Sequence, residues 1–269
     1  MSGIITATLV LGVVGILVGV GLVFTGKKFA VEVDEREVAV RAALPGNNCG
    51  ACGYAGCDAM AAAIASGDAP VNGCPVGGAA AADKIGEIMG VKVKATEKKV
   101  AFVRCSGTCD VTHSRANYIG IQDCRSALNA GLSVGDCEYG CMGYGTCTQV
   151  CPENAIHVEN GVAVVDRKKC VACGLCIKAC PKGLIELVPA KRTVAVRCAN
   201  KDKGPSVRKN CAKGCLACGI CVKQCEANAT GAMAVLENLA RVDYDECVRC
   251  GICAEKCPSK VIEFLEEAL

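Results

Sequence analysis

The pattern of apolar and polar residues changes abruptly near the start of this 269-residue chain. Ile4 to Phe24 contains no charged residue and no polar side chain beyond threonine, and about 20 such residues span a bilayer as one helix. Lys27 and Lys28 follow at once, and basic residues of this kind stay on the cytoplasmic side. Residues 1–28 are therefore predicted to be a single-pass anchor in the cell (inner) membrane, with the bulk of the chain in the cytoplasm. A cleaved signal peptide would instead start with basic residues and end at a small-residue cleavage site.

After this segment the pattern predicts short helices and short strands, which makes the fold class α+β. Val31 to Ala43 has the spacing of an amphipathic helix with Asp34 as its N-cap. Two alanine-rich stretches, one starting at Asp58 and one covering 76–89, also predict helices. Strands are expected after Lys99 and from Thr193, with a tight hairpin at Asn160-Gly161 and a looser hairpin within 233–244.

The composition limits how such a chain can be stabilised. It has 25 cysteines, no tryptophan and 3% aromatic residues, so ordinary apolar cores must be small. Metal–ligand bonds can replace the missing buried area as cross-links. The net charge of +3 and the pI near 7.9 are too mild to favour nucleic acid as a partner.

Three cysteine runs share the spacing C-x2-C-x2-C-x3-C. This is the ligand pattern of bacterial-type [4Fe-4S] ferredoxins, in which three cysteines hold one cluster and the fourth ligates the neighbouring cluster. A fourth run, Cys137, Cys141, Cys147 and Cys151, has looser spacing. The three regular runs are Cys170, Cys173, Cys176, Cys180; Cys215, Cys218, Cys221, Cys225; and Cys247, Cys250, Cys253, Cys257.

Crossed ligation pairs these runs into two units of two clusters each. The expected sets are Cys137, Cys141, Cys147 with Cys180; Cys170, Cys173, Cys176 with Cys151; Cys215, Cys218, Cys221 with Cys257; and Cys247, Cys250, Cys253 with Cys225.

An internal repeat leaves one ligand open. Residues 135–155 align without a gap on 209–229, so that Cys137 matches Cys211 and Cys218 matches Tyr144. Either Cys211 or Cys218 could be the third ligand of its set, and the regular spacing favours Cys218. Glu226 also stands where the other runs have proline, which makes that run less regular.

A further group, Cys49, Cys52, Cys57 and Cys74, has the spacing C-x2-C-x4-C-x16-C and glycines between the cysteines. Spacing alone permits one [4Fe-4S] cluster or a zinc site with four thiolates, and we favour the cluster. Five cysteines remain: Cys105, Cys109, Cys124, Cys198 and Cys211. Some of these could hold a sixth cluster, and the alternative is that they are small buried residues.

Zinc sites and disulfides also use many cysteines, but neither suits this pattern. Zinc ribbons use separated C-x2-C pairs, and four-cysteine runs that end in proline do not fit them. A disulfide scaffold is typical of small secreted domains, whereas this chain is expected to stay inside the cell.

The order of these parts resembles the B subunit of the Rnf complex, a membrane-bound, ion-translocating ferredoxin:NAD⁺ oxidoreductase. The segment PGNNCGACGYAGC, the preceding apolar helix and the two ferredoxin-like units behind it carry the resemblance over the whole chain. It implies five [4Fe-4S] clusters, with a [4Fe-4S] cluster on Cys49, Cys52, Cys57 and Cys74.

The resemblance also implies a role. The chain would accept electrons from soluble reduced ferredoxin and pass them to other membrane and peripheral subunits, toward NAD⁺ reduction coupled to Na⁺ or H⁺ transport, as a translocase subunit with no substrate chemistry of its own. The alternatives are a membrane-tethered reductase that resets an iron-sulfur transcription regulator, as in the related Rsx system, and a zinc-rich scaffold. Four segments are expected: the anchor at 1–28, a four-cysteine [4Fe-4S] domain at 29–91, a first ferredoxin-like unit with leading strand and loop at 92–192, and a second at 193–269.

Overall fold

The computed structural model describes residues 2–28, 34–93, 97–112, 118–131, 136–191 and 193–267. The helices are α1 Ser2–Lys28, α2 Glu35–Ala43, α3 Cys57–Ser66, α4 Gly78–Met89, α5 Cys124–Asn129, α6 Thr146–Gln149, α7 Leu175–Ala179, α8 Gly204–Asn210, α9 Ile220–Asn228 and α10 Ile252–Glu255. The strands are β1 Lys99–Val103, β2 Ile156–Glu159, β3 Val162–Val165, β4 Ile185–Pro189, β5 Thr193–Val196, β6 Met233–Leu236, β7 Leu239–Val242 and β8 Ile262–Leu265.

The N-terminal apolar segment forms the helix α1. Its large apolar side chains are exposed, with Leu11 at 73%, Leu17 at 67% and Phe24 at 69%. Its side chains are described without a break only from residue 9 to residue 25, and within that described part no helix is long and apolar enough to cross a membrane. The side chains of Lys27 and Lys28 lie outside the described residues, and the predicted anchor remains a prediction.

Three helices form the domain that contains the first cysteine group. Val40 of α2, Met60 and Ile64 of α3 and Ile85 of α4 are fully buried against one another. The Asp34 carboxylate accepts a hydrogen bond from the Arg36 backbone N–H at 2.9 Å, so the predicted N-cap of α2 is confirmed. The described helix begins at Glu35, and the predicted first residues at 31–33 lie outside the described residues.

The two ferredoxin-like units repeat one arrangement of strands. In the first unit β1 pairs with β4 and β2 with β3, and in the second β5 pairs with β8 and β6 with β7, all antiparallel. Each pair closes within one unit, and the mixture of helices and strands agrees with the predicted α+β class. The domain boundaries themselves stay predictions.

The hairpin of the second unit differs from expectation. Leu236 is opposite Leu239 across a two-residue turn, as Glu159 is opposite Val162 in the first unit, so the prediction of a looser hairpin was wrong. Glu237 and Asn238 both have positive φ, at 50° and 59°, and thus adopt the turn that Asn160-Gly161 forms in the first unit. Glutamate seldom adopts this conformation, which is why its presence hid the turn.

Proline controls where the short helices after the cysteine loops end. Helices α6, α7 and α10 are four or five residues long and end before Pro152, Pro181 and Pro258. A proline disfavours helical backbone in the preceding residue. Helix α9 runs for nine residues through Cys225, because Glu226 takes the place of that proline.

The cysteine loops rely on left-handed backbone before these helices. Ala172, Ala217 and Arg249 have φ of 56°, 54° and 61°, and Gly143 occupies the same place in the fourth loop with φ of 75°. A Cβ added at Gly143 would lie 2.7 Å from the carbonyl oxygen of Gly161 in the β2–β3 turn. Only glycine therefore allows this loop to approach the hairpin so closely.

We predict that Gly143→Ala destabilises the first ferredoxin-like unit. Left-handed strain costs about 1 kcal/mol and overpacking about 1–3 kcal/mol, so the free energy of unfolding should fall by ~2–4 kcal/mol. Anaerobic urea unfolding of the cluster-loaded protein measures this change. Ala217→Gly, at the equivalent position of the second unit, is the matched control and should change stability little; equal losses in both variants would contradict the interpretation.

Candidate metal centres

Five cavities in the two ferredoxin-like units are lined by groups of cysteines. The space inside them ranges from about 320 to about 460 Å³. Four cavities define groups of ferredoxin type, which we name sets A to D, and the largest defines a central set. Set A is Cys151, Cys170, Cys173, Cys176; set B is Cys124, Cys141, Cys147, Cys180; set C is Cys215, Cys218, Cys221, Cys257; set D is Cys225, Cys247, Cys250, Cys253; and the central set is Cys105, Cys137, Cys198, Cys211.

Set A has the membership that crossed ligation predicts. Burial, together with the negative charges of Cys170, Cys173 and Cys151, raises the pKa of Cys176 to about 11. Backbone N–H groups point at the sulfurs: Ala101 N–H donates to Cys170 Sγ at 3.3 Å and Ala155 N–H to Cys151 Sγ at 3.3 Å. Hydrogen bonds of this kind stabilise thiolate ligands of iron-sulfur clusters.

Sets C and D also match the expected groups. Burial, together with the negative charges of the other three cysteines of set C, raises the pKa of Cys221 to about 11. Burial, together with the negative charges of the other cysteines of set D and of Cys221, raises the pKa of Cys253 to about 12. The structure therefore places Cys218 beside Cys215 and Cys221, as the regular spacing favours. Cys211 lies in the central cavity instead.

Set B differs from the sequence-based expectation. Its cavity is lined by Cys141, Cys147 and Cys180 as predicted, but the fourth sulfur belongs to Cys124 and not to Cys137. Burial, together with the negative charges of Cys141, Cys124 and Cys180, raises the pKa of Cys147 to about 12. Cys137 faces the central cavity.

The physical reason for this exchange is the residue at position 144. The loop of set B keeps the backbone form of the other loops, yet Tyr144 stands where Cys218 stands in set C. The Tyr144 ring packs against Tyr118 with centroids 5.6 Å apart, and both contact the small core that contains Cys124. The first unit therefore has no thiol at this position, and α5 brings the Cys124 thiol to the cavity.

One buried hydroxyl positions Cys124. The Thr146 side chain accepts a hydrogen bond from the Cys124 backbone N–H at 2.8 Å and donates one to the Asp123 carboxylate at 2.7 Å. Asp123 is the N-cap of α5 and also accepts from Ser126 N–H at 2.9 Å. The hydrogen bond from Thr146, with that from Ser126, lowers the pKa of the Asp123 carboxyl. Thr146 thus links the set B loop to the start of α5.

A sequence signal for Cys124 exists. Cys105 and Cys137 are 32 positions apart, whereas the repeat-equivalent Cys198 and Cys211 are 13 apart, so the first unit carries 19 extra residues. Of the two cysteines in this insertion, Cys109 and Cys124, Cys124 lines the cavity of set B and Cys109 lines none of the five cavities. The first unit thus lacks a thiol at position 144 and has an inserted thiol, that of Cys124, which lines the same cavity.

The central set combines cysteines of both units. Cys105, Cys198 and Cys211 are buried, and Cys137 contributes to the raised pKa of each of these three thiols after burial itself. Among the described residues, no three cysteine, histidine, aspartate or glutamate side chains are arranged to hold a single metal ion. The remaining cysteine, Cys109, is exposed and lines none of the five cavities.

The N-terminal group is partly assembled around the helical core. Cys52, Cys57 and Cys74 pack against it, and Cys52 and Cys57 contribute to the raised pKa of Cys74, which burial dominates. Gly77 N–H donates to Cys74 Sγ at 3.4 Å. Cys49 lies in the loop that precedes α3. In set A, burial raises the pKa of Cys173, and the negative charges of Cys151, Cys170 and Cys49 contribute to the rise.

Family models match three of these regions. An Fe-S cluster family matches residues 44–76, a 4Fe-4S binding domain matches 163–186, and a 4Fe-4S dicluster domain matches 214–262. Together with the cysteine-lined cavities, these matches define the chain as a ferredoxin-type iron-sulfur protein with several clusters.

Curated relatives narrow this class to one family. The chain is 48% identical over 247 residues to the B subunit of the Na⁺-translocating ferredoxin:NAD⁺ oxidoreductase complex of Acetobacterium woodii, a match that covers 91% of this chain and 73% of the relative. It is 42% identical to the B subunit of the ion-translocating oxidoreductase complex of Methanosarcina acetivorans, over 97% of this chain and 98% of the relative. It is 38% identical to the B subunit of the proton-translocating ferredoxin:NAD⁺ oxidoreductase complex of Clostridium ljungdahlii, over 80% and 76%. The chain belongs to this family, the B subunits of the Rnf-type ion-translocating oxidoreductase complexes.

We predict that Thr146→Val detaches α5 from the set B loop. The buried Cys124 N–H loses its acceptor and the Asp123 carboxylate loses a donor, which should cost ~1–3 kcal/mol of stability. Thermal unfolding followed by circular dichroism measures the loss. Thr146→Ser keeps the hydroxyl and should retain most of the stability; if serine and valine behave alike, the hydroxyl is not what positions α5.

Proposed function

We propose that this chain is the iron-sulfur electron-transfer subunit of a membrane-bound, ion-translocating ferredoxin:NAD⁺ oxidoreductase. It accepts electrons from reduced ferredoxin and delivers them to other subunits, which carry out NAD⁺ reduction and ion transport. The observation that carries this proposal is the series of cysteine-lined sites along the two ferredoxin-like units, in a chain that belongs to the family of these B subunits.

The cavities and the N-terminal spacing support one set of ligands for each of five [4Fe-4S] clusters. Sets A, B, C and D each hold one cluster, and Cys49, Cys52, Cys57 and Cys74 hold another. This assignment keeps the crossed ligation expected from the sequence, with Cys124 in place of Cys137. When bound, the clusters supply reversible one-electron transfer.

The protein's own contribution is to exclude water from the sulfurs and to direct donors at them. The raised pKa values of Cys147, Cys176, Cys221 and Cys253 are those of thiols that keep their protons until a metal replaces them, so cluster loading should release protons. Backbone N–H donors then stabilise the thiolates, as Leu184 N–H does at Cys180 Sγ, 3.4 Å away. Both features suit clusters held in a dry pocket with directed donors.

The sites are paired within each unit. Sets A and B both use cysteines of the run 170–180, and sets C and D exchange cysteines between the runs 215–225 and 247–257. Sets A and B therefore adjoin each other in the first unit, and sets C and D adjoin each other in the second.

The membrane anchor is part of the proposal. The exposed apolar side chains of α1 suit lipid or the helices of other membrane subunits. The basic pair at the end of α1 favours the cytoplasmic side for the iron-sulfur units, where soluble ferredoxin is available. The transported ion stays open between Na⁺ and H⁺, because the named relatives include one of each kind.

Cys124 can be tested as a ligand by a swap within the repeat. Cys124→Ala should lower anaerobic iron and sulfide content by about four atoms each, because set B then has three thiols. Adding Tyr144→Cys to that variant restores a thiol at the position equivalent to Cys218, and should recover the lost iron. Cys109→Ser is the matched control and should leave the iron content unchanged. Full iron content in Cys124→Ala would contradict the assignment.

The electron-transfer role can be tested in membranes. Membranes that contain the whole complex should form NADH from reduced ferredoxin and NAD⁺, and membranes from a strain without this chain should not do so until the chain is restored. The purified protein should be brown and contain iron and sulfide. No loss of NADH formation without this chain, together with loss of reduction of an iron-sulfur regulator, would favour the regulator-resetting alternative; colourless, zinc-loaded and active protein would favour the scaffold.

A further inference from the structure

The segments that lead into the loops of sets A and D share one backbone form but carry different charges. We propose that Arg167 sets the reduction potential of the set A cluster, so that this cluster takes up an electron more readily than its repeat-equivalent in set D. This inference rests on the proposed function, because it assigns unequal roles to two clusters of that series.

The two segments are built in the same way. The Asp166 carboxylate accepts hydrogen bonds from the backbone N–H groups two and three residues later, at 3.0 and 3.4 Å, and the Asp243 carboxylate does the same at 3.0 and 3.4 Å. Arg167 and Tyr244 therefore occupy equivalent positions, each three residues before the first cysteine of the following loop. The side chains at these positions are what distinguishes the two segments.

Two of the three nitrogens of the Arg167 guanidinium are buried and unpaired. Nη2 donates to the carbonyl oxygens of Pro189 and Ala190, both at 3.2 Å, at the end of β4. Nε and Nη1 have no acceptor among the described residues, and the ion pairs within the described part of the chain do not include Arg167. Arginine stays protonated even so, and a charge that is sheltered from water acts more strongly on its neighbours.

The charge of Arg167 acts on set A. Burial lowers the pKa of the guanidinium, and the negative charges of Glu263, Cys170 and Tyr244 oppose that fall. Glu263 is already paired with Arg197 at 3.2 Å, whereas Cys170 belongs to set A. Reduction adds a negative charge to a cluster, so a nearby cation stabilises the reduced form and raises the potential.

Tyr244 supplies no such charge to set D. Burial, followed by the negative charge of Glu186, raises the pKa of the phenol, which therefore stays protonated and neutral in neutral solution. The Tyr244 side chain packs against the apolar core that contains Cys170 and Cys176 of the first unit. The position that holds a cation before the set A loop thus holds a neutral side chain before the set D loop.

The next two residues increase the difference. Lys168 and Lys169 follow Arg167, whereas Asp245 and Glu246 follow Tyr244, and all four are exposed. Water and salt screen exposed charges, so these four residues should affect the clusters less than the sheltered guanidinium does. The sign of their effect is nevertheless the same.

The set D loop contains a cation, Arg249, whose charge is opposed. Arg249 Nη2 pairs with the Glu97 carboxylate at 2.9 Å, and this negative charge offsets the guanidinium. Arg167 has no such partner among the described residues. An electron shared between these two sites therefore favours set A, which places it in the first unit.

The test is an EPR-monitored redox titration of the full chain, prepared anaerobically and with its iron content checked. Cys173→Ser and Cys250→Ser each alter one ligand, and the signals that they change identify sets A and D in the unaltered protein. The set A signal should have the higher midpoint potential of the two. This comparison is made on potentials of unaltered protein, so it does not depend on whether an arginine variant folds.

Arg167→Gln should lower the midpoint potential of the set A signal, because it removes the sheltered charge. Arg167→Lys keeps the charge and should retain most of the potential. Lys168→Gln is the matched control, since it removes an exposed charge from the adjacent residue, and should cause a much smaller shift. At the equivalent position, Tyr244→Arg should raise the potential of the set D signal and Tyr244→Phe should leave it unchanged.

Three results would overturn the proposal: a set A midpoint at or below that of set D, an unchanged set A potential in Arg167→Gln with full iron content, or equal shifts in Arg167→Gln and Lys168→Gln. Any of these with intact ferredoxin-dependent NADH formation would refute the role of Arg167 while leaving the proposed function standing. Absence of the cluster signals themselves would instead refute the proposed function.

Discussion

Cysteine ligation is the interaction on which the two ferredoxin-like units depend. Their sheets consist of pairs of strands four or five residues long, and isolated two-stranded pairs are marginally stable in water. The apolar clusters that pack on these sheets are rich in alanine, valine and cysteine, and several of their members are the cysteines of sets A to D. The cysteines that line the metal sites are therefore also members of the small apolar cores, so that loss of metal–sulfur bonds weakens those cores.

The repeat made most of this architecture predictable from the sequence. Ligand spacing is local, so the three regular runs specified loops whose left-handed residues and following short helices recur at Ala172, Ala217 and Arg249. Strands β1 and β5 could be placed because both precede a Val-Arg-Cys segment. The membership of sets A, C and D also follows from spacing, since crossed ligation is a property of the motif.

What spacing could not reveal is a cysteine that lines a cavity from outside its run. Cys124 lies 17 positions before Cys141, in a segment without counterpart in the second unit, and only packing brings α5 to the set B loop. Thr146 makes that contact specific, and nothing in a ligand motif requires a threonine there. Cys137 was expected in set B for the same reason, because Cys198 and Cys211, which line the central cavity with it, are 60 or more positions away. The second hairpin is the converse case, in which an unusual residue, Glu237, adopts an ordinary turn.

The crossed membership of the cysteine sets determines how much chain must be made before each site can close. During synthesis the N-terminal group is complete at residue 74, set A at residue 176 and set B only four residues later. The central set waits for residue 211, when more than three quarters of the polypeptide exists, and set D is complete at 253, before set C at 257. A chain interrupted between residues 180 and 211 therefore has every thiol of sets A and B but lacks Cys211 of the central set, so that the first unit can be complete before its boundary with the second unit exists.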